Sequence, residues 1–234
     1  MDFSAFSDAS FWAALGSIMI VNILLSGDNA VVIALASRNL PPHQQKKAIF
    51  WGSAAAIIMR VVLTITAVKL LTLPYLKLVG GILLVYIGVQ LLADSDGEED
   101  MKAESSIWAA IRTILIADLV MSLDNVLAVA AAAQSGPEST QMLLLIIGLA
   151  LSIPLIIFGS TMLLKLMERF PIIITFGAGL LGWLAGGMIV DDPAIEDGIK
   201  AMFGDIRIVA EIIGVAIVIA LGAYLKKRSS QHSE

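Results

Sequence analysis

The segment Asn22-Ile23-Leu24-Leu25-Ser26-Gly27-Asp28-Asn29-Ala30 places a carboxylate and two amides inside an apolar run that covers residues 11–36. A charge at the centre of a bilayer costs at least ~2.5–3.5 kcal/mol and is a functional hypothesis by default. A second copy follows 96 residues later: Asp118-Leu119-Val120-Met121-Ser122-Leu123-Asp124-Asn125-Val126. Residues 12–36 overlay residues 108–132 without a gap, and ten of the 25 positions are identical, among them Ser26/Ser122, Asp28/Asp124 and Asn29/Asn125. Most other positions are like-for-like, as in Ile23/Leu119 and Val21/Ala117, while Asn22/Asp118 exchanges an amide for a carboxylate. One intramembrane Asp can be a packing hydrogen bond. A duplicated Asp-Asn pair points instead to a cation site shared by two repeats.

The rest of the chain supplies the setting. Its 234 residues are 58% hydrophobic and 15% charged, with a mean hydropathy of +0.90; soluble domains carry about 25% charged residues. The charges fall between apolar runs at about 11–36, 47–71, 74–93, 107–133, 141–166, 172–190 and 207–225. Each run is long enough to cross a ~30 Å hydrocarbon core as a helix. A spanning segment must satisfy its own backbone hydrogen bonds, and continuous runs lack the alternation of barrel strands. The expected fold is therefore an all-α polytopic membrane protein with seven transmembrane helices. The lipid bilayer is its first partner, and nucleic acid is not expected. With no cysteine, disulfides and thiolate chemistry are excluded. The start is polar, with Asp2 and Asp8 but no basic stretch, so the first run is expected to remain as a helix.

Between the runs lie a basic turn at 38–47, an acidic linker at 94–106, a polar turn at 135–139 and an acidic loop at 191–205 with room for a short surface helix. Ten Lys and Arg fall in the loops after spans 1, 3 and 5 and in the C-terminus, against four on the other side. That bias predicts the N-terminus outside and the C-terminus in the cytoplasm. The chain divides into repeat 1 (1–93, three spans), an acidic cytoplasmic linker (94–106), repeat 2 (107–192, three spans), and an outer loop, seventh span and basic tail (193–234). Three spans per repeat is an odd number, so the copies enter the membrane from opposite sides. Inverted repeats of this kind mark many secondary transporters, whose substrate binds between the repeats near the midplane, and the seventh span lies outside the repeat.

The residues available to an ion are oxygen donors. On straight helices Asn22, Ser26 and Asn29 share one stripe, as do Asp118, Ser122 and Asn125. Asp28 and Asp124 point about 100° away, so for carboxylates and amides to meet, either the polar face is broad or a helix loosens nearby. Gly27 favours loosening in the first copy; Leu123 stands there in the second. Both histidines, His43 and His232, lie outside the spans. Oxygen ligands suit Mn²⁺, Mg²⁺ or Ca²⁺ rather than Zn²⁺ or copper. Asp28, Asp118 and Asp124 with one divalent ion leave about one negative charge for a proton or Arg60 to balance, and Arg60 reads as the counter-ion of an interior Asp. Glu211 reads as a satisfied interfacial carboxylate, Asp191 and Asp192 as a solvated loop, Pro154 as a kink, and the glycines of spans 3 and 6 as close helix packing. No Ser-His-Asp, HExxH or cysteine-based constellation lies in the spans, which argues against an enzyme.

With LLSGDNAVVIALA at 24–36 and VMSLDNVLAVAAAA at 120–133 on a chain of seven spans, the sequence resembles the TerC family of integral membrane proteins, in its YjbE-type branch within the broader LysE transporter superfamily. The resemblance implies a multi-pass bacterial inner-membrane protein of 3+3+1 helices linked to manganese efflux. By position it assigns a metal site to Asp28, Asn29, Asp124 and Asn125, with Asn22 and Asp118 beside them. Mn²⁺ would then be the transported substrate rather than a permanently bound cofactor, with protons as the candidate coupling ion. The expected function is export of a divalent ion by alternating access. Antiport of Ca²⁺, export of a small molecule and an accessory role in a stress-resistance complex are the alternatives, and a homo-oligomer is compatible with each.

Overall fold

The computed structural model describes residues 8–70, 73–93 and 103–230, and among these there is no strand. The helices are α1 (Ala9–Leu24), α2 (Gly27–Ser37), α3 (Pro42–Leu70), α4 (Leu76–Ala93), α5 (Ala103–Gln134), α6 (Gln141–Leu151), α7 (Ile153–Arg169), α8 (Ile172–Val190), α9 (Glu196–Phe203) and α10 (Arg207–Ser230). Five segments are long and apolar enough to cross a membrane: Pro42–Thr66, Leu76–Ala93, Gln141–Arg169, Ile172–Val190 and Arg207–Arg228. Two bent pairs raise the number to seven if each counts as one span. Ala9–Leu24 meets Gly27–Ser37 at 50°, and Ile107–Leu123 meets Asn125–Gln134 at 64°. The linker expected at 94–106 lies, through residue 102, outside the described residues.

Local chemistry explains the boundaries. α3 starts at Pro42, ahead of the expected 47, because proline's fixed φ and missing N–H suit a first helical turn. The Gln44 and Gln45 amides donate to the Pro41 carbonyl at 2.8 and 3.0 Å, which shortens the basic turn. Pro154 lies in the first turn of α7, and the interruption falls at Ser152, whose hydroxyl donates to the Leu149 carbonyl at 2.6 Å. The acidic loop does carry a short helix, α9.

The molecule is apolar outside and polar within. Ile20, Leu24, Ile58, Trp108, Phe158 and Phe176 are exposed, while Asn22, Ser53, Arg60, Asp118, Ser122 and Ser160 are buried. Lipid tails are as apolar as leucine, so the helices are held by close packing and hydrogen bonds rather than by exclusion of water. α8 shows this best. A Cβ at Gly182 would stand 2.4 Å from the Gly214 carbonyl oxygen of α10, and one at Gly81 of α4 would stand 2.8 Å from that of Ala185. The glycine-rich helices α4, α8 and α10 thus meet backbone to backbone.

One loop residue departs from its expected role. Asp192 is fully buried, not solvated. Its carboxylate accepts the backbone N–H groups of Tyr75 at 2.9 Å, Leu78 at 3.0 Å and Ala194 at 2.8 Å. It therefore caps the N-terminus of α4 from another segment and holds Tyr75 at a φ of 65°. Burial pushes the Asp192 carboxyl up, but donation from the Leu78, Ala194, Tyr75 and Lys77 amides outweighs this and leaves it below its ordinary value. The start of α4 and the end of α8 are thereby joined at one end of the bundle.

Candidate cation site

The two motif copies meet where their helices depart from straightness. α1 ends at Leu24, and Leu25 and Ser26, with ψ near zero, separate it from α2. A break frees backbone groups that need partners in a membrane. The Leu25 carbonyl finds two: Asn125 Nδ2 of the second copy donates to it at 3.1 Å, and Asn29 Nδ2 lies at 3.5 Å. The Asn29 side chain is buried and its Oδ1 has no hydrogen-bond partner. Asp28 Oδ1 accepts the Asn29 amide at 2.8 Å within the first turn of α2. The second copy bends without losing its helical backbone, so Leu123 does not prevent the bend that Gly27 favours in the first.

Around this junction lie two polar regions. The inner one is organised by Arg60, which is 1% exposed. Arg60 Nη1 donates to Asn22 Oδ1 at 2.9 Å and to Ser26 Oγ at 3.0 Å. Its Nε donates to Ser122 Oγ at 3.0 Å, and its Nη2 pairs with Asp118 Oδ1 at 2.5 Å. Ser122 Oγ also donates to Asp118 Oδ2 at 3.3 Å, and Asn22 Nδ2 to Ser152 Oγ at 2.6 Å. The second region is a cavity of about 110 Å³ lined by Asp28, Asn125, Met121, Trp183, Arg207 and Glu211, among others. There Arg207 Nε donates to the buried Glu211 at 3.1 Å, and its Nη1 pairs with Asp191 at 2.6 Å. Glu211 is thus satisfied by a neighbour one helical turn away.

The six residues expected at the site are therefore divided. Asn22 and Asp118 lie with Arg60; Asn29 and Asn125 converge on the Leu25 carbonyl; Asp28 faces the cavity together with Asn125. The side chain of Asp124 lies outside the described residues. Among the described residues no three His, Asp or Glu side chains are grouped closely enough to hold a metal ion. What the spans assemble instead is a set of amide, hydroxyl, carbonyl and carboxylate oxygens. Ser26 and Ser122 belong to it through Arg60, and their place on the Asn22 and Asp118 stripes signals this in the sequence. Ser152 carries no such signal, because its contact with Asn22 crosses 130 residues.

Comparison with known proteins follows the same lines. The family model described as "Integral membrane protein TerC family" matches residues 7–230. The chain belongs to the TerC family. This TerC protein is 43% identical over 207 residues to the membrane protein YjbE of Bacillus subtilis, covering 88% of its own length and 92% of that relative's. It is 28% identical to YceF of the same species, covering 76% and 71% of the two chains. It is 27% identical to the inner membrane protein YgdQ of Escherichia coli, covering 73% and 77%. No solved structure matches this TerC protein. It is an integral membrane protein with several apolar helices.

Proposed function

We propose that this TerC protein is a secondary transporter that exports a divalent cation, with Mn²⁺ the best-suited substrate. The observation that carries the reading is the meeting of two S-x-D-N segments at mid-span bends, where Asn125 of one copy donates to the Leu25 carbonyl freed by the break in the other. Broken helices whose freed carbonyls and side-chain oxygens face a buried polar centre are how transporters hold cations near the midplane. Asp28, Asn29, Asp124 and Asn125 are the ligands in this reading, with Asn22 and Asp118 adjoining. An oxygen set built on carboxylates and amides favours a hard divalent ion.

The inverted 3+3+1 arrangement and a place in the LysE superfamily belong to the same proposal. Packing supports the repeat relation. A Cβ at Gly52 would meet Ile114 at 2.8 Å, and one at Gly148 would meet Ile18 at 2.5 Å. Both the glycines and the isoleucines are 96 positions apart, so one contact is the counterpart of the other. The inner-membrane location, the cytoplasmic C-terminus and protons as coupling ion complete the reading.

The test is transport by the purified chain in liposomes loaded with a Mn²⁺-sensing dye. Quenching that saturates with external Mn²⁺ and is absent from protein-free vesicles is expected. Vesicles that admit neither Mn²⁺ nor Ca²⁺ under any ion gradient overturn the proposal.

A further inference from the structure

Arg60 stands where the two copies present equivalent polar groups to each other. Asn22 and Ser26 come from the first copy and Asp118 and Ser122 from the second, each pair 96 positions from its counterpart. The guanidinium donates to all four at 2.5–3.0 Å. Its own counterpart position holds Ile156, so the second repeat supplies no such cation. One side chain from one repeat has filled a cradle that both repeats build.

Each of those four groups also offers oxygen to a metal ion. A guanidinium and a divalent cation cannot share them, because like charges at such separations in a buried site repel strongly. With its five N–H donors in a planar fork, Arg60 reaches all four groups of the cradle at once. Asp118, a buried carboxylate that otherwise accepts only a hydroxyl from Ser122 among the described residues, is neutralised in the same contact.

We infer, building on the transport reading above, that Arg60 is the resident cation of the unloaded carrier: it fills the Asn22–Ser26–Asp118–Ser122 cradle when no substrate is bound, and the divalent ion engages these oxygens by displacing it. Arg60 is then a positioning residue with two effects. It lowers apparent metal affinity, since a site held closed nine times in ten binds ~tenfold more weakly than an open one. It also lets the empty carrier reorient with Asp118 neutralised, which a cycle of net efflux requires. Exchange of internal for external metal uses the loaded carrier only and does not need it.

The experiment compares net Mn²⁺ efflux with Mn²⁺/Mn²⁺ exchange in proteoliposomes, alongside equilibrium Mn²⁺ binding. For Arg60→Gln the expected result is net efflux lowered ~tenfold or more relative to exchange in the same vesicles, and apparent affinity raised ~tenfold. Retained net efflux, or loss of exchange in step with it, overturns the inference. Arg60→Lys keeps the charge and serves if the Gln variant fails to fold. Lysine's single ammonium holds the cradle less well than the fork, so Mn²⁺ affinity should rise while net efflux persists. Affinity unchanged or lowered in the Lys variant overturns the inference, as a purely structural ion pair predicts. A wild type that neither binds nor moves divalent ions fails earlier, and overturns the transport reading together with this one.

Discussion

Asp28 and Asp118, the two described acidic side chains of the motif copies, are set apart by what surrounds them. Asp118 is paired with Arg60 at 2.5 Å, whereas Asp28 accepts its neighbour's amide and opens on the polar cavity. Asp118→Ala strands a buried guanidinium, and loss of one partner of a buried pair costs about 3–5 kcal/mol. Its thermal unfolding in detergent should shift clearly below wild type. Asp28→Ala and Asp124→Ala remove a ligand and a charge in exchange for an apolar group that inserts easily. Both should unfold close to wild type while metal transport falls at least ~tenfold, the equivalent of a 1.4 kcal/mol loss. Wild-type transport by both variants would remove these residues from the site. The sequence makes all three acids visible because charge is conspicuous in an apolar run. It does not show which acid Arg60 takes, since Arg60 and Asp118 are 58 residues apart.

Helix ends and helix contacts carry the next level of organisation. Asp192 caps α4 across 114–117 residues by accepting the Tyr75 and Leu78 N–H groups, and it also accepts the Ala194 amide two residues on. Bonds to a charged acceptor contribute ~1.5–3 kcal/mol each at most, and a lost cap alone costs ~0.5–2. Asp192→Ala should therefore lower stability by about 2–4 kcal/mol, seen as a lower unfolding temperature in detergent. Because the folded carboxyl titrates below its ordinary value, its contribution is complete above the unfolded value and is lost as pH falls through the folded one. Wild type should lose stability across that acidic window, and Asp192→Ala should lose less. At the α8–α10 contact, a Cβ on Gly182 would meet the Gly214 backbone, not a flexible side chain. Gly182→Val must push the helices apart and should cost about 1–3 kcal/mol. An unchanged unfolding temperature would show that this contact yields freely. Glycine content announces tight packing in the sequence, but not which helix is the partner.

At the scale of the whole molecule, the joining of the α4 start to the α8 end by Asp192 agrees with spans that alternate direction. Arg38 Nη2 donates to the Leu91 carbonyl at 2.6 Å and likewise brings the ends of α2 and α4 together. The excess of Lys and Arg on that side predicts that the 94–106 linker is cytoplasmic. The chain contains no cysteine, so Ser95→Cys gives one unambiguous probe. An impermeant thiol reagent should label it only after the cells are opened; labelling of intact cells would reverse the assignment.

The sequence by itself determined the helical class, the approximate limits of the apolar runs and the duplicated acidic motif. Each of these is a local property: hydropathy must persist over a bilayer's width, and a charge within it stands out. The sequence also pointed to loosening near Gly27, and the break falls just before it, at Leu25 and Ser26. Only the tertiary structure decided that the second copy bends despite Leu123, that Arg60 joins the two copies, and that Asp192 is a buried cap. Those outcomes depend on which groups from distant segments are left needing a partner. In a medium without water that need is met by whatever packing brings within reach, and no local pattern in the chain encodes it.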